Sequence, residues 1–304
     1  VKNAQRELIK NLDELPFPAW DLFPIEQYIK IPCFRNLPNT RSINMSTSRG
    51  CPFNCTFCYN VFGAYTNRTR SNDNIIAEIK FLQDKYGIEA IMFSDNLFVA
   101  NKQHVIEFCD KLLKQDIKLI WGTSGRVNTV DLEILKKMKE AGCIGLLYGF
   151  ESGSQKMLDS MKKMVKVEQM KKAIKITRES GIEIWPSFMV GIPGETEETI
   201  KENVEFIKEM DLFVPGLFIA NPFPGSQLFD YAMKNNLIKD VEKFMEESVE
   251  CFDLHINCSG MPDKELVYWR DWANREISSN YRKRHPVEAF KMDLQTLTLT
   301  VKNF

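Results

Sequence analysis

A chain of 304 residues is long enough for one large domain, or a domain with an appendage, and for a sizeable buried core. Hydrophobic residues at 44% and charged residues at 27% exclude a disordered or fibrous chain, and 40 Lys plus Arg against 41 Asp plus Glu leave no field that would gather nucleic acid or anionic membrane. The sequence carries no apolar run of membrane-spanning length and no secretion signal, so the expected compartment is the cytoplasm, with no membrane span and no nucleic-acid partner. A start at Val1 rather than Met reads as processing or excision from something longer.

Residues 1–40 hold Pro16, Pro18, Pro24, Pro32 and Pro38, a density that removes backbone donors and predicts a linker or arm. Beyond it, short β-rich runs alternate with segments of helical periodicity, giving expected strands at 43–48, 90–94, 118–122, 143–149, 183–191 and 216–221. Ile75, Ile79, Leu82 and Tyr86 share one helix face ended by Gly87. Val105, Phe108 and Leu112 line the next helix, and Leu132, Leu135 and Met138 the third, which ends near Gly142. Gly181 ends the helix before the fifth strand, and Ile200, Val204 and Ile207 line the helix after it.

Strands that each precede a helix need right-handed crossovers and hence a parallel sheet. The expected fold is α/β, a partial (β/α)6 TIM-like barrel over residues 41–226, with an open doubly wound sheet as the competitor. Residues 227–304 lose the alternation and form a mostly helical C-terminal extension, in which 263–285 reads as one charged helix carrying Trp269, Trp272 and Tyr281. In either architecture, reactive groups collect in loops at the C-terminal ends of strands.

Eight cysteines, Cys33, Cys51, Cys55, Cys58, Cys109, Cys143, Cys251 and Cys258, are too dispersed for a disulfide scaffold, yet three crowd into one loop after the first strand. Cys51, Cys55 and Cys58 are spaced by three and then two residues with no fourth cysteine nearby, whereas zinc and ferredoxin sites recruit four ligands. Three thiolates on a four-iron cluster leave one iron open, as a catalytic site requires. A zinc knuckle closed by a distant residue, or three unrelated buried thiols, is the competing reading. Packing is the expected role of Cys33, Cys109, Cys143, Cys251 and Cys258.

The run Cys51-x-x-x-Cys55-x-Phe57-Cys58 resembles the hallmark of the radical S-adenosylmethionine superfamily, and the resemblance extends over about residues 42–229. It implies a [4Fe-4S] cluster held by Cys51, Cys55 and Cys58, chelation of the open iron by the amino and carboxylate groups of S-adenosylmethionine, and reductive cleavage to a 5′-deoxyadenosyl radical. Phe57 would lie near the adenine. A reductant such as flavodoxin or ferredoxin is implied, while the substrate, small molecule or peptide, is not readable.

Further segments carry the resemblance and imply cofactor-binding roles. Asp95 and Asn96 end the second strand where relatives hold the amino group, although this chain lacks their Gly-Gly-Glu, and both could instead be helix caps. Ser124 and Arg126 would face the carboxylate, a guanidinium fork suiting two parallel bonds. Glu151, in Gly149-Phe150-Glu151-Ser152-Gly153, would accept from ribose hydroxyls, with Ser154 as a possible cap. Gly191, Ile192 and Pro193 would present backbone to the adenine. Asn101 is the expected cap of the helix after the second strand. Trp185, Phe218, His255 and Tyr268 read as core residues or substrate liners and His104 as solvated; no catalytic acid or base is assigned.

Leu12-Asp13-Glu14-Leu15-Pro16-Phe17-Pro18-Ala19-Trp20 resembles the linker that joins a cobalamin-binding domain to the radical core, and Arg68-Thr69-Arg70-Ser71 resembles the same branch. The expectation is a cobalamin-branch core, of transferase or cyclase kind, without its cobalamin domain. The alternatives are a cobalamin-independent radical enzyme and a non-catalytic iron–sulfur or zinc module.

Overall fold

The structure is a computed structural model and describes residues 6–34, 36–59, 66–247 and 253–293. Cys251 lies outside them. Six strands form one sheet: β1 (Ser42–Met45), β4 (Ala90–Phe93), β5 (Ile120–Gly125), β6 (Cys143–Glu151), β7 (Glu183–Val190) and β8 (Phe218–Ile219), in that spatial order. The registers of β1 with β4, β4 with β5, β5 with β6 and β7 with β8 are parallel. A strand order that follows the chain without reversal excludes the doubly wound sheet, which needs a switch point, and is the order of the partial (β/α)6 barrel.

Between these strands run α2 (Asn72–Tyr86), α3 (Lys102–Lys114), α4 (Leu132–Glu140), α5 (Gln155–Ser160), α6 (Val167–Glu179) and α7 (Glu197–Glu209). Among its described residues the arm contains two 3₁₀ turns and the single-turn α1 (Ile25–Tyr28), short elements as its prolines dictate. The extension supplies α8 (Gln227–Lys234), α9 (Val241–Glu247) and the 22-residue α10 (Asp263–Arg284).

By contacts the chain divides into two compact units, one of Val1–Asn54, Asn60–Gly149 and Lys172–Ile184, the other of Cys55–Tyr59, Phe150–Lys171 and Trp185–Phe304. The first is built around Phe93, Phe98, Phe108 and Trp121, whose rings lie 4.9–5.8 Å apart, and the Trp121 indole N–H donates to the Ala141 carbonyl at 2.7 Å. Each such aromatic pair adds about 0.5–1.5 kcal/mol beyond its burial. The second contains the Phe150, Phe188 and Phe206 trio and an apolar cluster of Met157, Met161, Ile192, Leu228 and Phe244.

Several expected positions shift. The buried line of α4 is Ile134, Leu135 and Met138, because the helix starts at Leu132 and leaves that residue half-exposed on its first turn. Strand β5 starts two residues and ends three residues later than its apolar run suggests, so Ser124 sits within the strand rather than after it. His104 is half-buried, which pushes its imidazole below the usual range. Trp185, Phe218 and His255 are half-buried and Tyr268 is exposed, so none is a core residue.

Candidate functional site

The cysteine loop is fastened at its entrance by side chains from the neighbouring strand. Asp95, two residues past β4, accepts from the backbone N–H and hydroxyl of Thr47 at 2.8 and 2.8 Å and from those of Ser48 at 2.6 and 2.9 Å. Oδ1 takes three of these bonds and Oδ2 one, which leaves a single lone pair for any other donor. Burial pushes the Asp95 carboxyl up, against the hydrogen bonds that favour its charged form. Asp95 thus positions the segment that leads into Cys51, while Asn96 beside it is exposed. Replacing Asp95 by Ala is expected to cost about 3 kcal/mol, since two buried N–H groups lose their acceptor; urea unfolding measures it.

Two short strands that the sequence did not reveal, β2 (Ser48–Arg49) and β3 (Arg68–Thr69), pair antiparallel and close the base of the same loop. The pinch depends on Gly50, at φ +85°, where an added Cβ would stand 2.4 Å from the Thr66 carbonyl oxygen. Gly50→Ala should therefore misplace the loop: iron loading on anaerobic reconstitution is expected to fall severalfold, read as iron per chain. Ser71 caps α2 by accepting from Asn74, and Arg70 pairs with the buried Glu78, so the Arg68–Ser71 segment acts structurally here.

Arg126 is buried, and its guanidinium lies 3.8 Å from the centre of the Phe53 ring, between Cys51 and Cys55 in sequence. Its Nε donates to Asn128 at 3.0 Å, and Ser124 donates to the Asp95 carbonyl at 2.8 Å. The first unit therefore gathers Cys51, Phe53, Asp95, Ser124 and Arg126 around one end of the loop.

Residues Cys55–Tyr59 belong to the second unit. Thr56, between Cys55 and Phe57, donates its N–H to the Met161 carbonyl at 3.0 Å and accepts from the Leu228 N–H of α8 at 2.9 Å. This bracket fixes the backbone on both sides of one residue, and Phe57 packs against the cluster that contains Ile192. Ser160 donates to the Pro193 carbonyl at 3.1 Å, tying the end of α5 to the Gly191–Pro193 turn.

Glu151 closes β6, and its carboxylate accepts from the Lys163 ammonium at 2.8 Å, both side chains 9% exposed. The same ammonium stands 5.8 Å from the Phe57 ring centre. Glu151, Lys162 and Met164 all have positive φ, at 69°, 50° and 55°. Three strained non-glycine residues around one buried ion pair mark a place where the fold tolerates cost for geometry. Lys163 was invisible to sequence reading, since a Lys-Lys pair between helices reads as solvated; the only hint is that no helical pattern accounts for the segment.

Next to this pair, Gly153 leaves room for α7: a Cβ there would lie 2.5 Å from that of Phe206, and the Gly153 N–H donates to Asn203 at 3.0 Å. Ser154 does not cap α5 through its side chain; its hydroxyl is buried and, among the described residues, has no hydrogen-bond partner. Asn101 does cap α3, and Thr196 caps α7.

The thiols sort by environment. Burial pushes Cys109 up to about 12, Cys258 up to about 11 and Cys143 higher still, so all three stay protonated and act as packing groups. Cys33 is half-buried and also raised by burial. Cys51 and Cys55 are half-buried and Cys58 is exposed, the accessibility a metal ligand needs. Among the described residues no three His, Cys, Asp or Glu side chains are gathered at metal-holding distance. The donor set of the loop, three accessible thiols on a short fastened segment, fits an iron–sulfur cluster in its chemistry.

The Radical SAM superfamily model matches residues 45–207. The chain belongs to this superfamily. It is 35% identical over 235 residues to an uncharacterised methyltransferase of Pyrococcus horikoshii, covering 77% of this chain and 50% of that protein. It is 30% identical over 238 residues to the anaerobic magnesium-protoporphyrin IX monomethyl ester cyclase of Rubrivivax gelatinosus, covering 78% of this chain and 42% of the cyclase. In fold it resembles TsrM from Kitasatospora setae, a radical S-adenosylmethionine methyltransferase solved with cobalamin and a [4Fe-4S] cluster, at TM-score 0.58 and 20% identity over 66% of this chain and 38% of TsrM. The chain thus spans about half the length, or less, of these relatives. This Radical SAM chain has no described helix long and apolar enough to cross a membrane.

Proposed function

We propose that this chain is the radical core of an enzyme that reductively cleaves S-adenosylmethionine at a [4Fe-4S] cluster ligated by Cys51, Cys55 and Cys58. The cluster, when bound, supplies the electron that opens the sulfonium to a 5′-deoxyadenosyl radical. The observation that carries this reading is the bracket on Thr56, which fixes the loop between two of its thiols beside the strained Glu151–Lys163 pair.

The chain's own groups match the cofactor's parts. By the resemblance, Arg126 offers a guanidinium to the carboxylate, Glu151 offers acceptors to ribose hydroxyls, Phe57 offers a ring face to adenine, and the Gly191-Ile192-Pro193 turn offers backbone, while Lys163 holds Glu151 beside the Phe57 ring. Asp95 and Ser124 hold the loop, with one Asp95 lone pair left for the amino group; Asn96 is the exposed polar neighbour.

The methyltransferase and cyclase relatives, together with the Leu12–Trp20 arm, support methyl transfer or cyclisation with cobalamin as the outcome, in the cytoplasm and with a flavodoxin- or ferredoxin-class reductant. Anaerobic reconstitution tests the core: a cluster spectrum that changes on adding S-adenosylmethionine, and 5′-deoxyadenosine under reductant, are expected. An unchanged spectrum would reduce the chain to an iron–sulfur binding module. Cobalamin absorbance in the purified full-length protein tests the branch, and its absence leaves a cobalamin-independent enzyme.

A further inference from the structure

The turn after β7 is held by a carboxyl whose place in the molecule is unusual. Glu195 is buried, with only 5% of its surface exposed, and follows Gly194 directly. Its Oε2 accepts from the Gly191 N–H at 3.2 Å, and its Oε1 is bonded to the Thr199 hydroxyl. The carboxyl therefore spans the turn, from the end of the strand, where Gly191 has φ +95°, to the first turn of α7. Gly194 is tied in addition to the Ser259 carbonyl at 3.3 Å.

The hydrogen-bond inventory distinguishes the two protonation states. The Thr199 hydroxyl accepts from the Thr196 N–H at 2.9 Å, and its single proton has two acceptors, Glu195 Oε1 and the Thr196 carbonyl at 2.9 Å. If Glu195 carries a proton, it donates to Thr199, whose own proton then serves Thr196, and every group is satisfied. If Glu195 is ionised, Thr199 must choose, and a buried charge remains. Among the described residues Lys156 of α5 is the charged group whose field reaches it, and burial outweighs that field and both hydrogen bonds, pushing the Glu195 carboxyl up to about 7.

Resting on the proposed function, we propose that Glu195 is a positioning residue: its carboxyl latches the Gly191–Thr196 turn that presents backbone to S-adenosylmethionine, and its protonation sets how firmly the latch closes. A carboxyl raised by closure prefers the closed turn when protonated. The preference is full below the ordinary carboxylate range near 4.5, declines as pH rises, and is spent above about 7. Glu195→Gln keeps both bonds, oxygen to Gly191 and amide N–H to Thr199, without a titrating proton.

The test measures S-adenosylmethionine affinity of the cluster-loaded chain from pH 5.5 to 8.5, alongside the melting temperature of the cluster-free chain. Relative to Glu195→Gln, the native protein should lose affinity and melting temperature between pH 5.5 and about 7, by at most about tenfold in affinity per pH unit, and then level off. Parallel profiles in the two proteins would overturn the latch even if both bind well. Should no S-adenosylmethionine bind at any pH, the proposed function fails by itself, and the melting profiles still decide the latch: a constant native-minus-Gln difference sinks it.

Discussion

Replacing Cys55 by Ala is expected to leave a folded chain that holds no [4Fe-4S] cluster and yields no 5′-deoxyadenosine. The side chain is half-buried on a loop that Asp95, the β2–β3 pinch and the Thr56 bracket fasten by backbone bonds, and none of these involves the Cys55 sulfur. Removing it therefore takes away a ligand without taking away the loop. Visible absorbance and iron content read the cluster, and far-ultraviolet dichroism reads the fold. The control is Cys258→Ala, at a buried thiol pushed up to about 11, which should lose about 1 kcal/mol through the small cavity and keep full iron. Full iron in Cys55→Ala, or lost iron in Cys258→Ala, would contradict the ligand assignment.

The second large effect is expected at Lys163. Lys163→Met removes the cation from a pair whose two side chains are each 9% exposed, and strands the Glu151 carboxylate in the interior at a cost of about 3–5 kcal/mol. Urea unfolding should show it directly. Combining Lys163→Met with Glu151→Gln removes the stranded charge and should recover most of that loss, because a buried ion pair contributes little beyond its uncharged equivalent. S-adenosylmethionine affinity should separate the roles. If the pair serves the cofactor, the stable double variant still binds at least about tenfold more weakly, the worth of one lost charge-assisted bond. Native affinity in the double variant would make the pair purely structural.

What the sequence shows about the fold and what it hides follow from the range of the signal. Apolar spacing in a strand or helix is local, so Ile75, Ile79 and Leu82, or Ile200, Val204 and Ile207, announce their buried faces directly. Leu132 is not in the buried line because periodicity does not locate the first helical residue, and Ile134, two positions on, takes its place. The β2–β3 pinch was hidden since two-residue strands have no period to detect. Buried polar pairs are also silent: nothing in the order of residues says that Glu151 meets Lys163 twelve positions on, or that Asp95 spends its oxygens on Thr47 and Ser48.

By itself the sequence determined the alternation of strand and helix, the proline arm, the three-thiol loop and the family to which they belong, because each is carried by residue type and short spacing. Only the tertiary structure decided the strand order that excludes a doubly wound sheet, how deeply each packing thiol is buried, and the partners of Asp95, Glu151 and Glu195. Those depend on desolvation and on contacts between distant segments, and a carboxylate or thiol acquires its character from what surrounds it rather than from its neighbours along the chain.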